Sequence, residues 1–221
     1  MRILVIAEDA KLERMYTALL ADGRYLTDAA RRETAVDDAA SGIYDAMLVD
    51  LSAEEGALLI RRLRDAGVGL PVLAVTGDAS VSAKINVLDS GADAVLARPF
   101  EGPELLAQLR ALVRRRDGIV SEQLVYGNTS LDIKTCMLQC KQERVRLSAR
   151  EFEMMRLLMA NRENLVPKET LLLRVWGYES NAVDNYVEVY ISYLRRRLKK
   201  IDSDVSIRSV RRLGYHLTII Q

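Results

Sequence analysis

Histidine is nearly absent from this chain. His216 is the one copy in 221 residues, so any Ser/Cys, His, Asp triad would have to run through a residue in a terminal strand pattern, where packing or surface placement is the simpler role. Cysteine is almost as scarce. Cys136 and Cys140 stand at i, i+4 on a strand-like stretch with no further Cys or His beside them, which excludes a zinc cage and leaves two small apolar side chains suited to a reducing compartment. No apolar run approaches the ~20 residues a membrane helix needs. The opening Met1-Arg2-Ile3-Leu4-Val5-Ile6-Ala7-Glu8-Asp9 meets acid too early for a signal peptide. A cytoplasmic protein without membrane contact is expected. Internal repeats and low-complexity segments are missing as well.

Net charge is also small, +1, but it is unevenly divided. Residues 1–120 carry 15 Lys/Arg against 19 Asp/Glu, whereas residues 121–221 carry 17 against 12. A basic half points to a polyanionic partner, and an acidic half limits indiscriminate binding. With 49% hydrophobic residues, the chain can build two compact units of about 100 residues each.

The first half alternates apolar runs with helical patterns. Strands are predicted at 3–7, 24–27, 46–49, 72–75 and 94–97, and helices near 10–22, 33–41, 54–66, 80–90 and 103–115, several stopped by Gly23, Gly42, Gly67 and Gly91. Continuous apolar strands between helices imply a parallel sheet covered on both faces. The pattern breaks around Arg114-Arg115-Arg116-Asp117-Gly118. This places a first domain at 1–116, a linker at 117–122 and a second domain at 123–221. There, short strands are predicted at 123–126, 130–133, 137–140 and 144–147. Ser148-Ala149-Arg150-Glu151 then opens a helix as a capping box, and a second helix begins after Pro167.

The last forty residues are the most specific. Over a helix predicted at roughly 182–200, Val187, Ile191, Leu194 and Leu198 fall on one stripe. At about 100° per residue, Asn185, Tyr186, Tyr190, Tyr193, Arg196 and Arg197 lie on the remaining surface. A solvated amphipathic helix closed by cations would look similar. The next segment, a hairpin pattern turned near Gly214 and decorated by Arg208, Arg211 and Arg212, favours a winged helix that binds DNA.

In an open parallel sheet, functional groups collect past the carboxyl ends of the strands. Those positions here are Glu8 and Asp9, Asp50, Thr76, and Arg98. Clustered carboxylates repel unless a cation joins them, and oxygen ligands suit Mg2+. Asp50 could then accept a phosphoryl group whose charge the metal, Thr76 and Arg98 offset. Singly, each residue also reads as a helix cap, a turn hydroxyl or an ion-pair partner.

A series of segments follows in order along the chain: Ile3-Leu4-Val5-Ile6 followed by acids, Tyr44-Asp45 through Asp50-Leu51, Pro71-Val72-Leu73-Ala74-Val75-Thr76, Gly91-Ala92-Asp93, Arg98-Pro99-Phe100, Leu147-Ser148-Ala149-Arg150-Glu151-Phe152-Glu153, Val175-Trp176-Gly177-Tyr178 and the run from Ile207 to Tyr215. On these segments, across essentially its whole length, the sequence resembles the OmpR/PhoB family of bacterial two-component response regulators. The resemblance implies a flavodoxin-like (βα)5 receiver followed by a winged helix-turn-helix DNA-binding domain. It implies Asp50 as phosphoacceptor, Thr76 as switch hydroxyl, and Mg2+ held by Glu8, Asp9 and Asp50.

The family pattern is broken at several of these points. An ungapped first helix puts Ala7 at the first pocket acid and Glu8 at the usual metal-binding Asp; a one-residue shift restores Glu8 and Asp9 as the pair. The stretch from Asp50 to Gly56 is two residues short of the family pattern and lacks its proline. Arg98 replaces the motif's lysine, a planar fork in place of a compact ammonium. Val95 replaces the switch aromatic. The expectation is an atypical regulator little dependent on phosphorylation, with a conventional one as the alternative.

By the same resemblance, receivers pair through Lys84, Ile85, Leu88, Asp93, Glu104, Ala107 and Arg110, with one salt bridge missing because Ala94 replaces a common acid. Asn185, Tyr186, Tyr190 and Tyr193 would face the major groove, Arg195, Arg196 and Arg197 the phosphates, and Arg211 or Arg212 the minor groove, part of the tyrosine area packing on a neighbouring helix. Implied partners are double-stranded DNA with tandem half-sites, a second copy of the chain, RNA polymerase and a sensor histidine kinase. Two other classes compete. A Mg-dependent aspartyl-phosphate hydrolase of the haloacid dehalogenase kind needs a second acid where this chain has Ser52. An RNA platform usually stacks bases on sheet aromatics, and these tyrosines lie on a helix.

Overall fold

The computed structural model describes residues 1–116, 123–177 and 185–220. The linker predicted at 117–122 and the helix start predicted at 182–184 lie outside the described residues. The chain divides into two compact units, Met1–Val120 and Ser121–Gln221.

In the first unit, β1 (Arg2–Ala7), β3 (Ala46–Asp50) and β4 (Val72–Thr76) are almost wholly buried, flanked by β2 (Leu26–Ala29) and β5 (Ala94–Ala97). All pairs are parallel, in the order β2-β1-β3-β4-β5. Helices α1 (Ala10–Asp22), α2 (Ala35–Ala40), α3 (Ala53–Asp65), α4 (Val81–Asp89) and α5 (Gly102–Arg116) alternate with them. This is the flavodoxin-like order, whose switch point lies between β1 and β3. The strand predicted at 24–27 starts at Leu26 instead, because Arg24 turns the chain with φ 62°.

The second unit opens with an antiparallel sheet, β6 (Gln123–Tyr126), β7 (Thr129–Asp132), β8 (Met137–Cys140) and β9 (Glu143–Arg146). Cys136, predicted on a strand, is in the turn before β8 with φ 55°; both cysteines are buried. Next come α6 (Ala149–Asn161), the two-residue β10 (Val166–Pro167), α7 (Lys168–Trp176) and α8 (Tyr186–Lys200). The chain then folds back as β11 (Val205–Val210) and β12 (Gly214–Ile219). The hairpin turns at 211–213, and Gly214 begins β12 rather than making the turn. A Cβ on Gly214 would sit 2.1 Å from the Val166 carbonyl oxygen, so only glycine lets β12 approach β10 so closely. Order β10-β12-β11 beside three helices is a winged helix. Among the described residues, no helix is long and apolar enough to cross a membrane.

Candidate functional site

The carboxyl ends of β1, β3 and β4 bring Ala7, Asp50 and Thr76 together: Ala7 and Asp50 are register partners, and Thr76 pairs with Ala97 of β5. Asp50 is completely buried. Its Oδ2 accepts a hydrogen bond of 2.6 Å from the Tyr16 hydroxyl, a side chain from α1 that is itself fully buried and stacks on Phe100 at 6.4 Å. Arg98 brings Nη2 to 3.5 Å from Oδ1, an ion pair but not a hydrogen bond, and Oδ1 has no hydrogen-bond partner. Gly77 makes room for the guanidinium, since a Cβ there would meet Arg98 Nη2 at 3.1 Å.

Burial drives the Asp50 carboxyl above the ordinary carboxylate range; the Tyr16 bond and Arg98 pull it back, while Glu8 and Asp9 push it further up. Burial, then the bond to Asp50, likewise raises the Tyr16 phenol far above its usual value. The phenol is therefore a fixed donor, and the carboxylate has a proton donor and a cation from its own chain.

Asp9 is not a pocket ligand: its Oδ1 caps α1, accepting from the Lys11 amide at 2.7 Å and the Leu12 amide at 2.8 Å. Those bonds hold its carboxyl below the usual range. Ala7 brings no side-chain oxygen, and with Asp9 serving as a cap the expected set of Glu8, Asp9 and Asp50 is left with two carboxylates, Asp50 buried and Glu8 exposed. Among the described residues no three acids, histidines or cysteines form such a group. Asp50 and Glu8 remain as side-chain carboxylates at the strand ends, and one or two carboxylates with water are what Mg2+ usually takes, so these two residues would hold the ion. Thr76 is buried at the pocket but its hydroxyl serves a turn, accepting from the Asp78 amide at 3.0 Å.

On α4, Ile85 and Leu88 are 50% and 44% exposed, with Lys84 partly covered; on α5, Glu104 and Ala107 are exposed and Arg110 is partly covered. Asp93, expected in that interface, is already engaged: its Oδ2 accepts from the Val72 amide at 2.8 Å and from Arg64 Nη2 at 2.9 Å.

In the second unit α8 buries Val187, Ile191, Leu194 and Leu198 as predicted. Asn185 is exposed at its start and makes no side-chain cap bond. Tyr190 is half-buried, edge-on to Trp176 at 5.2 Å, and is a support more than a probe. Tyr186 and Tyr193 stay about 40% exposed, at 40% and 39%. Two of the three arginines assigned to phosphates also have partners within the unit. Arg195 donates from Nε at 3.0 Å and Nη2 at 2.7 Å to the Ile207 carbonyl, fastening α8 to β11. Arg197 donates from Nε to Glu151 Oε1 at 3.1 Å. Glu151 closes the capping box of α6 with Ser148. Burial pushes the Glu151 carboxyl up, but its bonds with Ser148 and Arg197 outweigh that and leave it below its usual range. Arg196 remains exposed, stacked over the Tyr193 ring at 4.9 Å. Arg211 and Arg212 are exposed at the wing tip. A groove of about 490 Å³ lies between the start of α6 and α8, lined by Tyr193, Arg196, Arg197 and Lys200 among others.

Sequence reasoning missed Tyr16 and Val189. The first reads as one more core residue on the buried face of α1, although a buried phenol needs a partner for its hydroxyl. Val189 lies on the outer ridge of α8, 37% exposed.

Residues 3–110 match the family described as response regulator receiver domain, and residues 142–217 the one described as transcriptional regulatory protein, C terminal. The transcriptional regulatory protein DltR of Streptococcus agalactiae is 35% identical over 98% of both chains. The response regulator MprA of Mycobacterium avium is 34% identical, again over 98% of each. A solved streptococcal protein, described as a redox sensor evolved from two-component response regulators, covers 99% of both chains at 24% identity and a TM-score of 0.45. Parallel receiver sheet, winged helix and full-length relatives agree, and the chain belongs to the OmpR/PhoB family of two-component response regulators, transcription factors with a receiver followed by a DNA-binding domain.

Proposed function

We infer that this regulator binds duplex DNA sequence-specifically through α8 and the β11–β12 wing, and that its receiver works with little or no dependence on phosphorylation of Asp50. The observation that carries the second half is the carboxylate already tied by Tyr16 and Arg98 inside its own domain. A phosphodonor would have to displace both to reach the carboxylate. The first half is supported by the exposed polar and cationic groups that remain at α8 and the wing: Asn185, Arg196, Lys200, Arg211 and Arg212.

On this reading the chain is a regulator and not a hydrolase. It pairs with a second copy through Ile85, Leu88 and Ala107, while exposed charges such as Lys84 and Glu104 add little. A sensor histidine kinase is dispensable to it.

Incubation with Mg2+ and acetyl phosphate should leave the intact mass unchanged, and light scattering of the untreated protein at micromolar concentration should already give a dimer. Stoichiometric phosphorylation of Asp50 with tighter DNA binding would establish the conventional reading instead. On duplex DNA, Arg196→Ala should weaken binding on every sequence and lower the salt slope by about one unit. Asn185, whose amide can pair an adenine, should matter only on preferred sites, where Asn185→Ala costs about 1–3 kcal/mol. Equal losses on preferred and random duplexes in a retardation assay would remove Asn185 from the reading face.

A further inference from the structure

We propose that the regulator recognises its operator through thymine methyl groups, with Tyr186, Val189 and Tyr193 forming the apolar strip that receives them in the major groove. The proposal rests on α8 being the DNA-reading helix and says which bases it reads.

Along α8, Tyr186, Val189, Tyr193, Arg196 and Lys200 are spaced i, i+3, i+7, i+10, i+14. At about 100° per residue they form one ridge, opposite the buried Val187, Ile191, Leu194 and Leu198. The ridge changes character along its length. Its first half exposes apolar side chains, Tyr186, Val189 and Tyr193 at 40%, 37% and 39%; its second half is cationic. A surface that joins an apolar strip to cations suits a partner with apolar points set between rows of negative charge. In the major groove the phosphates supply the charge, and the thymine C5-methyl is the apolar group displayed among the base edges.

The residues missing from the ridge argue the same way. Reading guanine by the commonest route takes an Arg or Lys on the part of the helix that enters the groove, and from Asn185 to Leu194 there is neither. The one charge in that stretch, Glu188, is paired with Lys168 at 2.9 Å. Asn185, at the same end, suits the adenine opposite a thymine.

The strip is also held in place. Tyr186 stacks on Trp176 at 5.9 Å, Tyr190 meets Trp176 edge-on and backs Tyr193 at 5.5 Å, and Arg196 covers the Tyr193 ring. Rings already ordered lose little freedom on binding.

The test uses the full chain and a randomised duplex pool. Retained duplexes are sequenced, and the most enriched is synthesised again with deoxyuridine at every deoxythymidine, which removes the methyl and leaves the hydrogen-bonding edge unchanged. The enriched half-sites should be thymine-rich. Affinity should fall about fourfold for each contacted methyl, hence tenfold or more for two. Val189→Ala, an exposed change whose folding is checked by Trp176 emission, should bind the thymine duplex more weakly and lose distinctly less than the wild type on uracil. Equal wild-type affinity for the two duplexes overturns the proposal, as does an enriched half-site without thymine. An equal loss in Val189→Ala and wild type places the effect in the DNA itself and overturns it too. If no duplex of any composition is retained in dilute buffer, DNA binding itself is refuted, an outcome distinct from the other three.

Discussion

Glu153→Ala should destabilise the second unit by about 3–5 kcal/mol, lowering its melting temperature by more than about 10 °C and removing duplex binding with it. Glu153 is fully buried on α6. Its Oε2 accepts from Arg156 Nε at 2.9 Å and its Oε1 from Arg156 Nη2 at 2.7 Å, with Arg174 Nη2 4.0 Å from Oε1. Arg156 is only 4% exposed. Deleting the carboxylate takes two charge-assisted hydrogen bonds from the buried Arg156, and removing one partner of a buried ion pair costs more than the net worth of the pair itself. Glu153→Gln keeps the shape and one acceptor and should fall between. The chain's single tryptophan, Trp176, is in this unit, so its emission follows this transition alone, while calorimetry should show the first unit melting as before. A Trp176 transition shifted by less than about 1 kcal/mol would show that the network does not stabilise the fold.

The same residue shows where a sequence stops being legible. Strands β1, β3 and β4 are readable because helices cover both their faces, which demands uninterrupted apolar runs; the α8 stripe is readable because one face must be buried. Charged residues follow no such rule. Asp9, Asp93, Arg195 and Arg197 advertise their charge in the sequence, but their partners are fixed by what the fold places within hydrogen-bond reach. A helix terminus took Asp9, a strand amide and Arg64 took Asp93, the Ile207 carbonyl took Arg195, and Glu151 took Arg197. Strand β10 exists only as a pairing with β12, so two residues, Val166 and Pro167, carry no local pattern that could announce it. The β2 boundary was lost to the turn at Arg24, whose backbone conformation its side chain does not signal.

The receiver pocket divides along the same line. The strand-end placement of Asp50, Thr76 and Arg98 follows from alternating strands and helices and the rule that sites gather at the carboxyl edge. The Tyr16 bond does not, because α1 offers Tyr16 and Leu20 as an ordinary buried pair. Its hydroxyl turns a core position into a hydrogen-bond donor to Asp50, and Arg98 adds an ion pair at 3.5 Å without a hydrogen bond.

Asp50→Asn should accordingly stabilise the first unit at neutral pH, by about 1–3 kcal/mol, the range for a buried polar group left short of partners. The charge is fully buried, Oδ1 has no hydrogen bond, and Arg98 stands at 3.5 Å without reaching it. Because the folded carboxyl is raised above its ordinary value, chiefly by burial, the folded unit keeps its proton to higher pH than the unfolded chain. The resulting penalty is absent in acid, grows as pH rises past the unfolded value toward the folded one, and is complete above the latter. Asp9 and Asp78, held low by hydrogen bonds to backbone amides, act in the opposite sense: their stabilisation is present above the unfolded value and is lost as pH falls through the folded one. They act equally in both proteins and cancel in the difference. Calorimetry over a pH series should therefore show the advantage of Asp50→Asn largest at neutral pH and vanishing in acid. A variant less stable than the wild type at neutral pH would mean that Arg98 and Tyr16 more than offset the burial of the charge. Tyr16→Phe supplies the opposite sign, since losing the 2.6 Å bond strands the second oxygen and should destabilise the unit. In the double variant that loss should shrink, because an amide left without the phenol is far less strained than a carboxylate left without it.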